Sequence, residues 1–445
     1  MNLCPRNIAL ALFGLATLLV VPGCPNPNDT FIGPLDTEDV NKVAPGWGLR
    51  KLDPKDYPDM RLAWMDKEGL SQAISKSLAF LATPSSQRWY PSKNPGDTIT
   101  HDQVQRTLED IQSMLQRNVS AEEFQRTVLA RYDVYTSVGY NDKGDVWYTG
   151  YFTPHYYGSR VQTAEFKYPI YNRPRDLNTD PVTGAVIGSY PTRSELMDSG
   201  RLKGLEFLWF KDPMEPFMIQ VQGSAQVELP DRTKLMVGFA GSNGHEHKGL
   251  GAQLRDEGKI DPKHLSLPRV IAYFKEHAGE LEKYIRRDDR FTFQTIYDSE
   301  ADRREWPKGS LNVQVTDNRS IATDKDIFPR ASLTFVDVPK GGGKPFGLML
   351  DQDTGGGIRA AGRADIYMGF GDAAGARAGD EFAQGRLYYI YLKPEFVRFV
   401  GAVGGAVTAT RPAVPVTRPS TSTPQIPPPT RPGGGEMFPG AVRPN

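Results

Sequence analysis

Two carboxylates in the stretch Leu348–Gly371 have the surroundings that acid–base chemistry needs. Asp353 stands before a glycine run, and Asp365 follows twelve positions later inside Ala364-Asp-Ile-Tyr-Met-Gly-Phe370. That spacing suits two short strands joined by a tight glycine-rich connection. Ile366, Tyr367, Met368 and Phe370 would enclose Asp365 in low-dielectric surface, which disfavours the charged form and raises a carboxyl pKa. A carboxyl so placed serves as a general acid near neutral pH. The competing reading makes both residues turn formers whose side chains bond nearby backbone N–H groups, as Asp does beside Gly.

Other spacings point to weaker chemistry. Asp353-Thr-Gly355 spells the aspartic-protease signature, but that reaction needs two aspartates sharing a proton and no second Asp-Thr-Gly occurs. His245-Glu-His247 suggests a metal, yet nothing marks a third ligand and the helical zinc pattern needs i and i+4. No metal and no cofactor are expected.

These residues need strands to hold them. Val146-Trp-Tyr-Thr-Gly-Tyr-Phe-Thr-Pro154 opens a region rich in aromatic and β-branched residues, and Leu205–Phe210 and Pro216–Ser224 read as strands within it. Further strand signals fall at Phe291–Gln294, Leu311–Val315, Ser332–Val336, Gly347–Leu350, Ala364–Met368 and Arg386–Leu392, a spacing that suggests a small closed barrel. Helical periods occupy Leu70–Leu81, Val104–Leu115 after a cap at Asp102, a segment from Ser120 with Glu123 in capping-box position, and Leu267–Ile285. Aromatic residues Trp147, Tyr148, Tyr151, Phe152, Trp209 and Phe210 offer faces for stacking, although aromatics in β-runs are mostly core.

The 445 residues suffice for two domains or more. Lys and Arg total 53 against 53 Asp and Glu, so no global field recruits nucleic acid or an anionic membrane. Both cysteines, Cys4 and Cys24, lie at the N-terminus, which excludes a disulfide framework in the body. Arg6 and the apolar run Ile8–Val21 read as a signal peptide over residues 1–23, too short for a comfortable membrane span. Val21-Pro-Gly-Cys24 resembles a lipoprotein signal, with Pro22 in place of the usual small residue and Cys24 as the lipidated position. Residues 24–58 are Pro-rich and read as a flexible tether, and residues 401–445 as a disordered Pro/Gly/Thr-rich tail.

Several motifs in fixed order carry a resemblance: Thr149-Gly-Tyr-Phe-Thr-Pro154, Tyr168-Pro-Ile-Tyr171, Val221-Gln-Gly-Ser224, Ala240-Gly-Ser-Asn-Gly-His245, Asp324–Pro329, Asp353-Thr-Gly-Gly-Gly-Ile358 and Ala364-Asp-Ile-Tyr-Met-Gly369. The body from about residue 60 to 400 resembles the membrane-bound lytic murein transglycosylase A family, with its C-terminal three-aspartate domain. The resemblance implies a mainly β fold with helical additions: a double-psi β-barrel (59–147 and 289–400) interrupted by a second, inserted β-barrel (148–288), with a groove between them for a glycan strand. It matches Asp365 to the family's catalytic aspartate, sets Asp353 beside it, and places Thr149, Thr153, Gln222, Gly223, Ser224, Asn243, Gly244 and Arg359 along the groove. The chain departs from the family at Gly355-Gly-Gly-Ile-Arg359, where Gly-Gly-Ala-Ile-Lys is usual, and at Ala331-Ser332, where Gly-Thr is usual.

The implied reaction is exolytic cleavage of the β-1,4 bond between N-acetylmuramic acid and N-acetylglucosamine without water. Asp365 protonates the leaving oxygen, then accepts the proton of the muramoyl C6 hydroxyl as it closes a 1,6-anhydro ring. One carboxylate suffices because the nucleophile is tethered, where effective molarities reach about 10⁵–10⁸ M. Asp353 is assigned to orienting the turn or to raising the pKa of Asp365; Asp351 would share its face if the strand ran straight through both. The resemblance further implies a monomer on peptidoglycan, held by its lipid to the outer membrane and facing the periplasm, or secreted there if the lipid signal is unused. A non-catalytic glycan-binding lipoprotein and a hydrolytic muramidase are the alternatives.

Overall fold

The aromatic and β-branched runs at the two ends of the body pair with one another. The computed structural model describes residues 48–94, 97–181, 183–338 and 347–398. The chain passes through β1 (Leu49–Lys51), the hairpin β2 (Ser92–Asn94) and β3 (Asp97–Ile99), β4 (Tyr132–Ser137) and β5 (Val146–Thr153). It then builds β6 (His155–Tyr157), β7 (Tyr168–Tyr171), β8 (Glu206–Phe210), β9 (Ser224–Glu228), β10 (Lys234–Ser242) and β11 (Thr292–Ile296). It returns through β12 (Ser320–Ala322), β13 (Leu333–Asp337), β14 (Gly347–Asp353), β15 (Arg363–Phe370) and β16 (Phe382–Leu392).

Six of these strands close a ring in the order β5, β16, β13, β14, β12, β15 and back to β5. The β12–β14 and β15–β5 pairs are parallel and the others antiparallel. Closure leaves no open sheet edge in the ring. Val146, Tyr148, Ile321, Val336, Met349, Ile366 and Leu387 share the inner face, while Leu333, Phe335, Leu348 and Leu350 occupy the opposite, outer face. The long β16 continues past the ring to pair with β4, which carries β1.

Helices Leu70–Leu81 and His101–Gln116 cover this barrel through specific bonds. Gln103 Nε2 donates to the Leu392 carbonyl at 2.8 Å, and Gln352 Nε2 donates to the Ala73 carbonyl at 2.8 Å. The second helix is capped by Thr100, not Asp102: Thr100 and Gln103 form a reciprocal capping box, and Asp102 takes the first turn, where the helix dipole favours an anion. Ser120 Oγ accepts the Glu123 N–H and starts the helix Ala121–Arg131.

The inserted strands form a sheet β11-β10-β9-β6 and a hairpin β7-β8. Bridges Asn172–Gln294 and Ser159–Trp209 join the two pieces at both ends, closing a second ring. Ile170, Leu208, Phe210, Val227 and Val237 are its core. A separate apolar cluster, including Met214, Phe217, Leu254, Val270, Phe274 and Tyr284, binds the flanking helices.

Four segments differ from the sequence reading. Pro216–Ser224 is no strand: Met214–Gln222 is a helix, ended by Gly223 at φ 80°. A short apolar run cannot separate the two periods, and a left-handed glycine suits a helix end. Leu311–Val315 fails as a strand because Asn312 sits at φ 58° and breaks the extended path. The Leu267–Ile285 helix is two, Leu267–Glu276 and Leu281–Arg286, parted at His277. Residues 48–58, read as tether, lie on the barrel: β1 pairs with β4, Leu49 is buried, and Tyr57 Oη donates to the Tyr132 carbonyl. The signal segment, Cys24 and the 401–445 tail lie outside the described residues.

Candidate functional site

Alternation along β15 decides where its acid points. Ala364, Ile366 and Met368 enter the barrel core, so Asp365 faces the other way, into a cleft of about 1390 Å³ between the barrel and the insertion. Thr149, Arg359, Arg363 and Asp365 line the cleft from the barrel, and Met214, Phe217, Gln222 and His247 from the insertion. The expected apolar enclosure of Asp365 is therefore replaced by polar neighbours, because the residues on either side of it point away.

Parallel pairing sets Thr149 of β5 opposite Asp365, and the Thr149 hydroxyl donates to Asp365 Oδ1. Arg363 Nε stands 3.8 Å from the same oxygen, and Arg363 Nη2 donates to Thr149 Oγ1 at 3.4 Å. Both contacts fall on Oδ1; among the described residues Oδ2 has no hydrogen-bonded partner. The carboxylate is thus fixed by one oxygen and open at the other.

Asp353 is held more fully. Its Oδ1 accepts the Ser310 and Thr354 N–H groups, each at 2.8 Å, and its Oδ2 accepts the Tyr151 hydroxyl at 2.9 Å. Burial pushes this carboxyl above the ordinary Asp value, while those donors and Lys325 pull it down. It meets the cleft through Tyr151, which lines it. Asp351 does not share its face. The β12–β14 register slips from Ile321–Asp351 to Ala322–Asp353, a bulge at Gln352 that turns Asp351 inward. There, fully buried, it pairs with Lys325 Nζ and accepts from Thr323 Oγ1 and Tyr389 Oη, both at 2.8 Å.

Of the residues expected along the groove, Thr149, Gln222 and Arg359 line the cleft together with Asp365. Gln222 ends its helix there, its Oε1 accepting the Phe152 N–H at 3.0 Å. Thr153 and Ser224 do not line it; with Tyr367 they form a buried hydroxyl cluster, Thr153 Oγ1 lying 3.3 Å from Ser224 Oγ and 2.9 Å from Tyr367 Oη. Gly223 is the helix terminator. Asn243 is buried and ties a loop, donating to the Pro191 and Asp289 carbonyls and accepting from Phe291 N–H. Gly244, at φ 84°, continues that loop against Val186. Among the aromatics, Trp147 and Tyr151 line the cleft, whereas Tyr148, Phe152 and Phe210 are core.

His245 Nε2 bonds the Tyr190 carbonyl at 2.7 Å, and His247 Nδ1 bonds Asp288 Oδ2 at 2.9 Å, so the two rings serve different partners. Among the described residues no three His, Cys, Asp or Glu side chains gather as metal ligands.

Two cleft residues, Arg363 and Asp324, and one beside the glycine turn, Arg290, had no assigned role in the sequence reading. Arg363 had a signal, since position i−2 on a strand shares the face of Asp365. Asp324 fixes the far end of the glycine turn: its Oδ2 accepts the N–H of Ala360, which sits at φ 60°. Arg290 packs across from the insertion, its Nε 2.6 Å from where a Gly356 Cβ would stand. Asp324 opens the motif Asp324–Pro329 but had been given no role, and nothing in the sequence singles out Arg290.

Known proteins match both parts. The MltA specific insert domain corresponds to residues 147–295 and the 3D domain to residues 319–391. The membrane-bound lytic murein transglycosylase A of Escherichia coli (strain K12) is 29% identical over 272 residues, 59% of this chain and 70% of that protein. Its Vibrio cholerae counterpart is 26% identical over 266 residues, 57% of this chain and 68% of that protein. Among solved structures, a membrane-bound lytic murein transglycosylase from Agrobacterium tumefaciens superposes with a TM-score of 0.63 at 23% identity, covering 79% of this chain and 99% of its own. E. coli MltA with bound chitohexaose gives 0.60 at 22% identity, covering 83% and 100%. The fold is accordingly the mainly β one, a double-psi β-barrel interrupted by a second barrel with a groove between them.

Proposed function

Because this chain belongs to the membrane-bound lytic murein transglycosylase A family, we propose that it cleaves the β-1,4 bond between N-acetylmuramic acid and N-acetylglucosamine of peptidoglycan with Asp365 as its single acid and base. The observation that carries this reading is the half-fixed carboxylate. Thr149 and Arg363 anchor Oδ1 of Asp365, which leaves Oδ2 to hand a proton to the leaving oxygen and then to take one from the C6 hydroxyl. Asp353, with three donors on its two oxygens, is suited to holding the turn and not to attacking C1. The product is then a 1,6-anhydromuramoyl end.

The division into a barrel and an inserted barrel belongs to this proposal, with the expected insert of 148–288 moved to run from after β5 (Val146–Thr153) through β11 (Thr292–Ile296); anchoring through a lipid on Cys24 belongs to it too. No helix among the described residues is long and apolar enough to cross a membrane.

Mass spectrometry of purified murein after incubation with the full chain tests the reaction. Released muropeptides with 1,6-anhydromuramoyl ends are expected. Reducing ends would mean that water reaches C1 and would make the protein a muramidase; binding without product would make it a glycan-binding protein.

The glycine turn gives a second expectation. A Cβ at Gly357 meets only His247 Cδ2 at 3.6 Å, ordinary contact, which accounts for the alanine usual there in the family. A Cβ at Gly356 collides with the half-buried Arg290 guanidinium. Gly357→Ala should keep its rate, and Gly356→Ala, which pushes aside the flexible end of Arg290 and not the turn, should lose no more than a few-fold in murein solubilisation. A loss of roughly tenfold or more would show that the turn itself had moved.

A further inference from the structure

Three basic side chains from both barrels surround the turn Gly355–Gly357. Arg359 reaches back along it, its Nη1 3.5 Å from the Gly355 carbonyl and 3.3 Å from the Ile358 carbonyl. Arg290 lies against Gly356 from the insertion and donates to the His245 carbonyl at 3.2 Å. The His247 ring adjoins Gly357, with Nδ1 committed to Asp288. Arg359 and His247 line the cleft that holds Asp365.

What these guanidiniums lack is a counter-ion. Among the described residues neither Arg290 nor Arg359 forms an ion pair; their acceptors are backbone carbonyls. Two buried acids stand near the turn and both are committed: Asp288 to Arg193, His247 and the Lys248 and Arg290 N–H groups, and Asp324 to the Asp326 and Ala360 N–H groups. Burial and the charge of Arg359 both weigh on the Arg290 cation and pull its pKa down. Two unpaired cations beside one turn repel each other, and an anion placed between them removes that cost. Planar guanidiniums also match a carboxylate through paired, charge-assisted bonds.

We propose that this turn is a carboxylate-binding subsite of the cleft, in which Arg359 and Arg290, with His247 at the edge, receive the acidic group borne on the lactyl arm of a muramoyl residue. On peptide-free strands that group is the lactyl carboxylate; on substituted strands it is a carboxylate of the stem peptide. The inference rests on the reading of the cleft as a glycan groove. It makes the subsite a selector for muramoyl over neutral N-acetylglucosaminyl units, and it joins the two barrels around the substrate.

Equilibrium binding by the full chain carrying Asp365→Asn tests it, using three soluble strands of equal length: peptide-bearing, peptide-free with a free lactyl carboxylate, and peptide-free with that carboxylate converted to a methylamide. At least one acidic strand should bind about tenfold or more tightly than the neutral one, with a preference that weakens as salt rises. Which acidic strand gains identifies the source of the carboxylate. Adding Arg359→Gln, at an exposed position, or Arg290→Gln should erase the preference by weakening the acidic strands far more than the methylamide strand, and Arg359→Lys should restore part of it. Equal affinity for all three strands, or a uniform loss in the variants, overturns the subsite. Turnover of murein by the unsubstituted chain is read in parallel: no cleavage of any strand would overturn the parent reading, whereas cleavage without charge preference overturns the subsite alone.

Discussion

Asp365→Asn in the full chain should release no 1,6-anhydromuramoyl product above background, a fall of about 10²–10⁴-fold or more in rate, while strand binding persists. The amide keeps the size of the side chain and an oxygen for the Thr149 hydroxyl, so the cleft stays intact. What it removes is the proton that Oδ2 would donate. Asp353→Asn is the informative partner. Its carbonyl can still accept the Ser310 and Thr354 N–H groups, and the side chain stays beside Tyr151, so about a tenfold loss is expected. Quantitative mass spectrometry of both digests decides the matter: equal losses would mean that the two carboxylates act as a pair and that the single-acid reaction is wrong.

How much of this was legible beforehand depended on periodicity. The first barrel follows from runs such as Val146–Thr153 and Arg386–Leu392, where β-branched and aromatic residues dominate. Legibility ended where one residue reset the phase. Asn312 and the Gln352 bulge each interrupt an extended run without a change in composition, and the second decides whether Asp351 or Asp353 reaches the site. The helix Gly371–Asp380 was invisible because its Gly- and Ala-rich sequence has almost no apolar stripe; it is made by packing on β5 and β15. Asp365 stood out as an acid among apolar neighbours, yet the hydroxyl it binds came from elsewhere, Thr149 across a parallel pair, and the turn beside it is met by Arg290 from a strand-flanking loop of the insertion. Contacts of that kind have no local signature.

The second large effect concerns stability. Lys325→Met should lower the thermal midpoint by several degrees, because it strands Asp351, fully buried inside the barrel, without its cation. Breaking one side of a buried pair typically costs about 3–5 kcal/mol, most of it the penalty for the charge left behind. Burial pulls the Lys325 pKa down, against the opposing pull of Asp351. Lys325→Met with Asp351→Asn removes both charges and keeps a carbonyl for Thr323 and Tyr389, so the double variant should recover most of the loss. Calorimetric scans of the three proteins are the check. A single variant as stable as the parent would show that the pair contributes nothing.

The ring closure has a consequence in time. Thr149 and Asp365 are 216 positions apart, and β5 is clasped on one side by β15 and on the other by β16, the last strand of the ring. Contacts so distant in sequence form late, after nearer pairings have reduced the cost of closing the intervening chain. The inserted barrel pairs strands only with its own neighbours and is complete before β12 is even synthesised. A nascent chain therefore possesses one wall of the cleft before it possesses Asp365, and the Thr149–Asp365 contact forms only when β15 joins β5. On the proposed reaction, a chain that stops short of β15 has a groove wall and no acid in it.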